Sequence, residues 1–276
     1  MTYWNAVLLG LVQGVAEFLP ISSSGHLAVL QNFLAIGDME NHMLFDVLLH
    51  LGTLAAVILA FWKDVREVVT EFARMLHIRR TPRGMKPNRR ERRLISFLII
   101  ATLPLIPAVF LSNVVESLYQ NTFFIGFAFI LTGFLLFAAD RMGHGNKDER
   151  SSTTADALVV GLAQAVAVVP GLSRSGTTIS FGMLRGFERS FAVKFSFLLS
   201  IPVVLGANLV SLIKVFSTGV EWSYVPMYLV GVACAFVSGY FAIYFLRLVV
   251  QRGKFGGFCY YCWGAGLVTL LLSLIS

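Results

Sequence analysis

The chain has 276 residues, 57% of them hydrophobic and only 13% charged, with a mean hydropathy of +0.75. A soluble domain carries about twice that share of charge, so the composition excludes a disordered chain and a disulfide scaffold and argues against a soluble enzyme. The formal net charge is +7, from 22 Lys+Arg and 15 Asp+Glu. The run 63–93 alone holds eleven Lys/Arg against four Asp/Glu, an excess equal to that of the whole chain. A basic loop between two apolar blocks reads as a cytoplasmic loop facing anionic lipid, and no nucleic-acid partner is expected.

In chain order, residues 6–19 form an apolar stretch too short to cross a bilayer core, which takes about 20 helical residues. The stretch lacks a basic leader and runs into a Ser cluster, so no cleavable signal is expected. After a Pro/Ser-rich turn comes a second short apolar run, 27–36. Helix, polar turn and returning helix predict a re-entrant hairpin, whose irregular backbone survives only inside protein or beside a watery cavity. Spans are predicted over 43–62, 94–111 and 122–139. Residues 157–169 and 179–184 flank another Pro/Gly/Ser-rich turn and predict a second hairpin. Spans over 191–213, 225–246 and 258–275 complete the chain. Pro104, Pro107 and Pro202 predict kinks. Cys259 and Cys262 have CxxC spacing, but without a second ligand pair they read as small residues of a membrane helix.

The segments 63–93, 140–156, 185–194 and 247–256 hold 20 of the 22 Lys/Arg, which places them in the cytoplasm and, with six spans, both termini outside. The two short stretches also match each other. Gly10-Leu-Val-Gln13-Gly-Val-Ala16 recurs as Gly161-Leu-Ala-Gln164-Ala-Val-Ala167, and at the same offset of 151 residues Ser22-Ser-Ser24-Gly25 falls on Ser173-Arg-Ser175-Gly176. Each half is a hairpin plus three spans, so the halves insert with opposite topology. The expected fold is an all-α polytopic membrane protein. It has six transmembrane helices plus two re-entrant helical hairpins arranged as an inverted-topology repeat, about 1–139 and 155–276 of a single domain, 1–276. Such repeats place a site near the midplane, where the turns meet.

The first turn brings Glu17, Ser22, Ser23, Ser24 and His26. The second brings Ser173, Arg174, Ser175, Gly176, Thr177 and Thr178. Glu17 and Arg174 are too costly to face lipid and are expected to face each other. Arg offers a donor fork that fits phosphate, and hydroxyls, turn N–H groups and two helix N-termini add to it. An acid beside a phosphate cradle suggests a divalent-metal ligand or a proton-transfer group. Gln13, one helical turn before Glu17, can add a neutral oxygen or a hydrogen bond. His26 is a candidate nucleophile or acid/base. His50 and Asp46, four residues apart, are expected to bond each other, more for structure than for chemistry.

Gln13-Gly-Val-Ala-Glu17, Pro20-Ile-Ser22-Ser23-Ser24-Gly25-His26 and Pro170-Gly171-Leu-Ser173-Arg174-Ser175-Gly176-Thr177-Thr178 closely resemble the signatures of the bacitracin-resistance type undecaprenyl-diphosphate phosphatases. Segment order resembles that family over the full length. The resemblance implies an inner (plasma) membrane enzyme that hydrolyses undecaprenyl diphosphate to undecaprenyl phosphate and phosphate, recycling the lipid carrier of peptidoglycan synthesis. It also implies bacitracin resistance on overproduction, a site open to the outer leaflet, a possible homodimer and a divalent metal, Mg²⁺ or Ca²⁺. It assigns catalysis to Glu17, His26, Arg174 and Ser23. Substrate binding falls to Gln13, Ser22, Ser24, Ser173, Ser175, Gly176, Thr177 and Thr178, and metal binding to Glu17 and Gln13. Because position 13 is Gln, a metal site of two glutamates is not available. Two alternatives compete: a lipid flippase or transporter of the same architecture, and the lipid phosphatases with a Pro-Ser-Gly-His element, whose later His after Ser-Arg is missing here.

Overall fold

The structure, a computed structural model, describes residues 1–33, 43–78, 88–218 and 222–274. Residues 34–36 of the first hairpin's returning run, His42, part of the basic loop (79–87) and residue 275 of the last predicted span lie outside the described residues.

The described chain is helical, with one isolated bridge between Lys147 and Phe187. α1 (Tyr3–Phe18) starts on Thr2, whose hydroxyl accepts from Asn5 N, and stops before Pro20. α2 (Ser23–Phe33) returns from the turn. α3 (Met43–Ala60) is followed by α4 (Trp62–Met75) after a bend of 91°. α4 changes direction where the sequence changes from uniformly apolar to one apolar and one charged face, the pattern of a helix lying across the end of the molecule.

α5 (Arg89–Thr102), capped by Asn88, runs into a 3₁₀ turn at Leu103–Leu105. α6 (Ile106–Val109) and α7 (Ser112–Tyr119) follow. Within the predicted span 94–111, Pro104 and Pro107 remove two backbone donors, and the expected kinks take the form of a break of the helix into short pieces. α8 (Thr122–Met142) is unbroken. α9 (Thr154–Val166) opens with a capping box between Thr153 and Asp156, and α10 (Arg174–Leu184) with Ser173 as cap. α11 (Arg189–Thr218) continues through Pro202, and α12 (Val225–Gln251) and α13 (Phe258–Ser273) complete the set.

Among the described residues four helices, those containing α8, α11, α12 and α13, are long and apolar enough to cross a membrane, or five if α3 and α4 count as one bent span. α9 is apolar but too short to cross a bilayer by itself.

Two features of the packing place the site. α1 lies along α12, and α9 lies along α5, while α2 and α10 both reach α8. The two polar turns are thereby brought to one region beside α8. At one end of the molecule the basic segments are tied together by ion pairs: Arg90–Glu149 at 2.8 Å, Lys194–Asp64 at 2.6 Å, Arg185–Asp156 at 2.8 Å and Arg189–Asp140 at 2.6 Å. Burial opposes ionisation of Glu149, but the Arg90 hydrogen bond and the Lys194 charge outweigh it and hold its pKa below the ordinary value.

Candidate active site

The first turn is built on a serine in the left-handed region, Ser22 at φ 71°. A non-glycine residue there is strained and needs local bonds to hold it. His26 supplies one. Its Nδ1–H donates to the Ser22 carbonyl at 2.7 Å, and since a carbonyl only accepts, Nε2 of the neutral ring accepts from Tyr261 O–H on α13 at 2.8 Å. The His26 ring lies near-parallel to Tyr261 and edge-on to Phe129. Ser22 Oγ in turn accepts from Gly25 N at 3.3 Å. Cys262 Sγ, one residue after Tyr261, donates to Pro20 O at 3.5 Å, so the CxxC segment serves as a hydrogen-bonding edge and its cysteines are free.

The second turn uses Gly171 at φ 88° for its reversal, a conformation glycine adopts without strain. Thr132 of α8 holds it by donating to Gly171 O at 3.3 Å and accepting from Ser173 N at 3.2 Å. Gly25 leaves room for this turn: a Cβ on it would lie 2.9 Å from Gly171 Cα. Ser175 Oγ donates to Leu19 O at 3.3 Å. The turns are in direct contact.

Glu17 and Arg174 form an ion pair through Oε1 and Nη2 across the two turns. Glu17 Oε2 accepts from Ser23 Oγ at 2.7 Å and from Gln13 Nε2 at 3.1 Å, and His50 Nε2 stands 3.9 Å away. Glu17 is 8% exposed, so the carboxylate is held by these partners rather than by water. Arg174 Nη1 is buried without a partner. An unpaired buried guanidinium N–H beside a cavity is a donor that a ligand oxygen can take.

The cavity at this point has a volume of about 330 Å³. Glu17, Ser22, Ser23, Ser24, Ser173 and Arg174 line it. The remaining sequence candidates are not on its wall. Gln13 sits behind Glu17, Ser175 bonds Leu19 O, and Gly176 N is taken by Ser173 Oγ at 3.1 Å. Thr178 is turned to α11, where its hydroxyl lies 2.6 Å from Ser196 Oγ, and Thr177 is buried. His26 faces α8 and α13, with both ring nitrogens engaged.

Asp46 and His50 also line the cavity and bond each other as expected, through the Asp46 backbone oxygen. His50 Nδ1–H donates to the Asp46 carbonyl at 2.8 Å, because residues four apart on a helix put the ring over that backbone oxygen, while the Asp46 carboxylate accepts from Gln31 Nε2 at 3.1 Å. Asn208 and Ser211 of α11 complete the polar lining. Sequence reading passed over Asn208; its signal was an amide inside an apolar helix, which rarely faces lipid.

A divalent cation would find oxygen ligands in the Glu17 carboxylate and in Gln13 Oε1, which is buried and unpartnered. No group of three His, Cys, Asp or Glu among the described residues can hold a metal ion. From the cavity such an ion would meet the Glu17 carboxylate alone of these two and would take its remaining ligands from phosphate oxygens and water, as Mg²⁺ commonly does, with Gln13 Oε1 reached only if the amide turned toward the cavity.

The family profile of bacitracin resistance protein BacA matches residues 6–268. The chain belongs to that family. A relative from Alkaliphilus metalliredigens, named undecaprenyl-diphosphatase, is 40% identical over 277 residues, covering 100% of both chains. Relatives of the same name from Halothermothrix orenii and Syntrophotalea carbinolica are 37% and 40% identical, covering 99% of each chain for the first and 96% of this chain and 97% of the relative for the second. The Glu17–Arg174–Ser23 cluster thus sits in a BacA-family chain.

Proposed function

We propose that this BacA-family protein hydrolyses undecaprenyl diphosphate to undecaprenyl phosphate and inorganic phosphate, recycling the lipid carrier used in peptidoglycan synthesis. The observation that carries the reading is the cavity of a multi-pass membrane protein where a nucleophile-sized hydroxyl, a carboxylate and a guanidinium converge: Ser23 on Glu17 at 2.7 Å and Arg174 on the same carboxylate.

Arg174 keeps Nη2 on Glu17 and gives Nη1 to the terminal phosphate. Ser23 Oγ attacks the terminal phosphorus as its proton passes to Glu17. The Ser23 O–P bond forms, the bond from phosphorus to the bridging oxygen breaks, and undecaprenyl phosphate departs. Glu17 passes that proton to the departing undecaprenyl phosphate; a water then attacks the phosphoserine and gives a proton to Glu17, the Ser23 O–P bond breaks, Ser23 takes the proton back from Glu17, and inorganic phosphate leaves. Ser23 is preferred to His26 as nucleophile because both His26 nitrogens are occupied; His26 holds the strained Ser22. Ser22, Ser24 and Ser173 offer hydroxyls to phosphate oxygens. A divalent ion, Mg²⁺ or Ca²⁺, held by Glu17 and Gln13 would neutralise charge on the phosphates.

The same reading takes the broken segment 94–111 as a span completed by its short helices, for six spans and two re-entrant hairpins in inverted repeats 1–139 and 155–276 of one domain. The duplicated turn geometry supports it. The end rich in Lys and Arg faces the cytoplasm of the inner membrane, both termini lie outside, and the cavity opens to the outer leaflet. A homodimer is compatible with this arrangement. No observation favours a flippase.

The test is phosphate release by purified protein in detergent from undecaprenyl diphosphate, with and without chelator, for the wild type and Glu17→Ala. Release by the wild type that Glu17→Ala loses is expected; no release by the wild type refutes the reading, and full activity in chelator refutes the metal.

A further inference from the structure

One donor of the cavity has no part in the scheme above. α11 contributes Val203, Val204, Ala207, Asn208 and Ser211 to the wall. Val204, Asn208 and Ser211 fall at i, i+4 and i+7, so a single face of α11 looks into the cavity. Asn208 is 6% exposed, and its Nδ2 is buried with no hydrogen-bond partner. A buried unpaired amide is costly, and one in an apolar helix has no lipid partner to fall back on. Such a group is tolerated where a ligand completes it.

The surroundings say which part of the ligand. The terminal phosphorus must lie at Ser23 Oγ, with Arg174 beside it, both on the hairpin turns. Asn208 is on α11, among Val203, Val204 and Ala207, an apolar setting that suits the first isoprene carbons and the phosphate esterified to them. An amide donates to phosphate without a countercharge, so it does not compete with Arg174 for the more highly charged terminal group.

We infer that Asn208 donates to the lipid-bearing phosphate of the substrate, the one that leaves as prenyl monophosphate. The inference rests on the hydrolase reading. It makes Asn208 a substrate-binding residue that distinguishes a diphosphate from a lone phosphate.

The experiment compares wild type with Asn208→Leu in three arms: KM for undecaprenyl diphosphate, inhibition by undecaprenyl phosphate, and inhibition by orthovanadate, which mimics the terminal phosphate alone. Loss of one hydrogen bond to a charged group raises the first two constants roughly tenfold. The orthovanadate constant stays unchanged. Asn208→Ala reads the same arms and suits a helix, should the leucine variant not fold. Unchanged KM and product inhibition overturn the inference, and so does a parallel rise in the orthovanadate constant. Failure of the hydrolase reading is separate: the wild type then releases no phosphate, and direct binding of undecaprenyl phosphate to wild type and Asn208→Leu still decides whether Asn208 holds that group, with equal affinities overturning it.

Discussion

In the first turn Ser22 Oγ lies 3.3 Å from Ser24 Oγ and accepts from Gly25 N; in the second Ser173 Oγ lies 3.3 Å from Ser175 Oγ and accepts from Gly176 N. The hydrogen-bond frame is the same at positions 151 residues apart. What each frame carries is different. The middle residue is Ser23 in one and Arg174 in the other, and the last turn of the helix before the first turn carries Glu17, whose counterpart 151 residues on is Val168. One turn therefore offers a hydroxyl and a base, the other a cation. The frames also differ in how they reverse the chain: Gly171 does so without strain, while Ser22 occupies the left-handed region and is held there by His26 and Tyr261. In the proposed mechanism the two like frames divide the work into a reacting turn and a holding turn, with the strain on the reacting side.

The sharpest way to break that division is to remove the cation. Arg174→Ala should abolish phosphate release, because it leaves Glu17 buried without its charge partner and the phosphate without its fork. Arg174→Lys should recover only a small part, since a point charge replaces two fixed N–H directions. Full turnover in Arg174→Ala would return the holding role to the serines.

The difference in strain can be read from stability. Gly171→Ala must place a Cβ 2.7 Å from that of Ala128 at φ 88°, which should cost about 3 kcal/mol in a detergent unfolding experiment. Ser22→Gly relieves its strain but loses the Oγ cap, two effects of about 1 kcal/mol each, so its unfolding midpoint should hardly move. Equal losses in the two variants would show that the turns bear the same strain.

A smaller effect tests the device that holds Ser22. Tyr261→Phe removes the donor to His26 Nε2 and leaves the ring stack, so kcat should fall roughly tenfold with KM unchanged. A merely structural Tyr261 would change the melting temperature and leave that kcat–KM split absent.

The smallest effect lies away from both turns, at the ion-paired end, and serves as a control. Glu149 has a folded pKa below its unfolded 4.5. Its contribution is fully present above the unfolded pKa and is lost as pH falls through the folded one. Wild-type melting temperature should therefore drop more steeply than that of Glu149→Gln between about pH 5 and pH 3. Parallel curves would dismiss the Arg90–Glu149 pair as a stabilising contact.

Much of this was legible in the residues. Apolar block length marks the long membrane helices α8, α11, α12 and α13 because bilayer thickness sets it, and the short blocks around Ser22 and Ser173 mark pairs of short helices joined by polar turns. The expected meeting of Glu17 with Arg174 followed from the cost of a lone charge in lipid. Other features escaped. Pro104 and Pro107 announce a disturbance, but whether a helix bends or breaks depends on what packs around the freed carbonyls. Cys262 reads as a small residue of a membrane helix and Tyr261 carries no local signal, because nothing nearby in sequence relates them to a turn more than 230 residues earlier.

The sequence by itself determined the helical membrane class, the two polar turns and the chemistry each can offer, because those depend on residue type and on spacing along one helix. Only the tertiary structure decided which side chains share the cavity. It turned His26 and Thr178 away and brought in Asp46, His50 and Asn208. The physical reason is that the direction a side chain takes on a packed helix is set by its neighbours from other helices, and those contacts have no signature in local order.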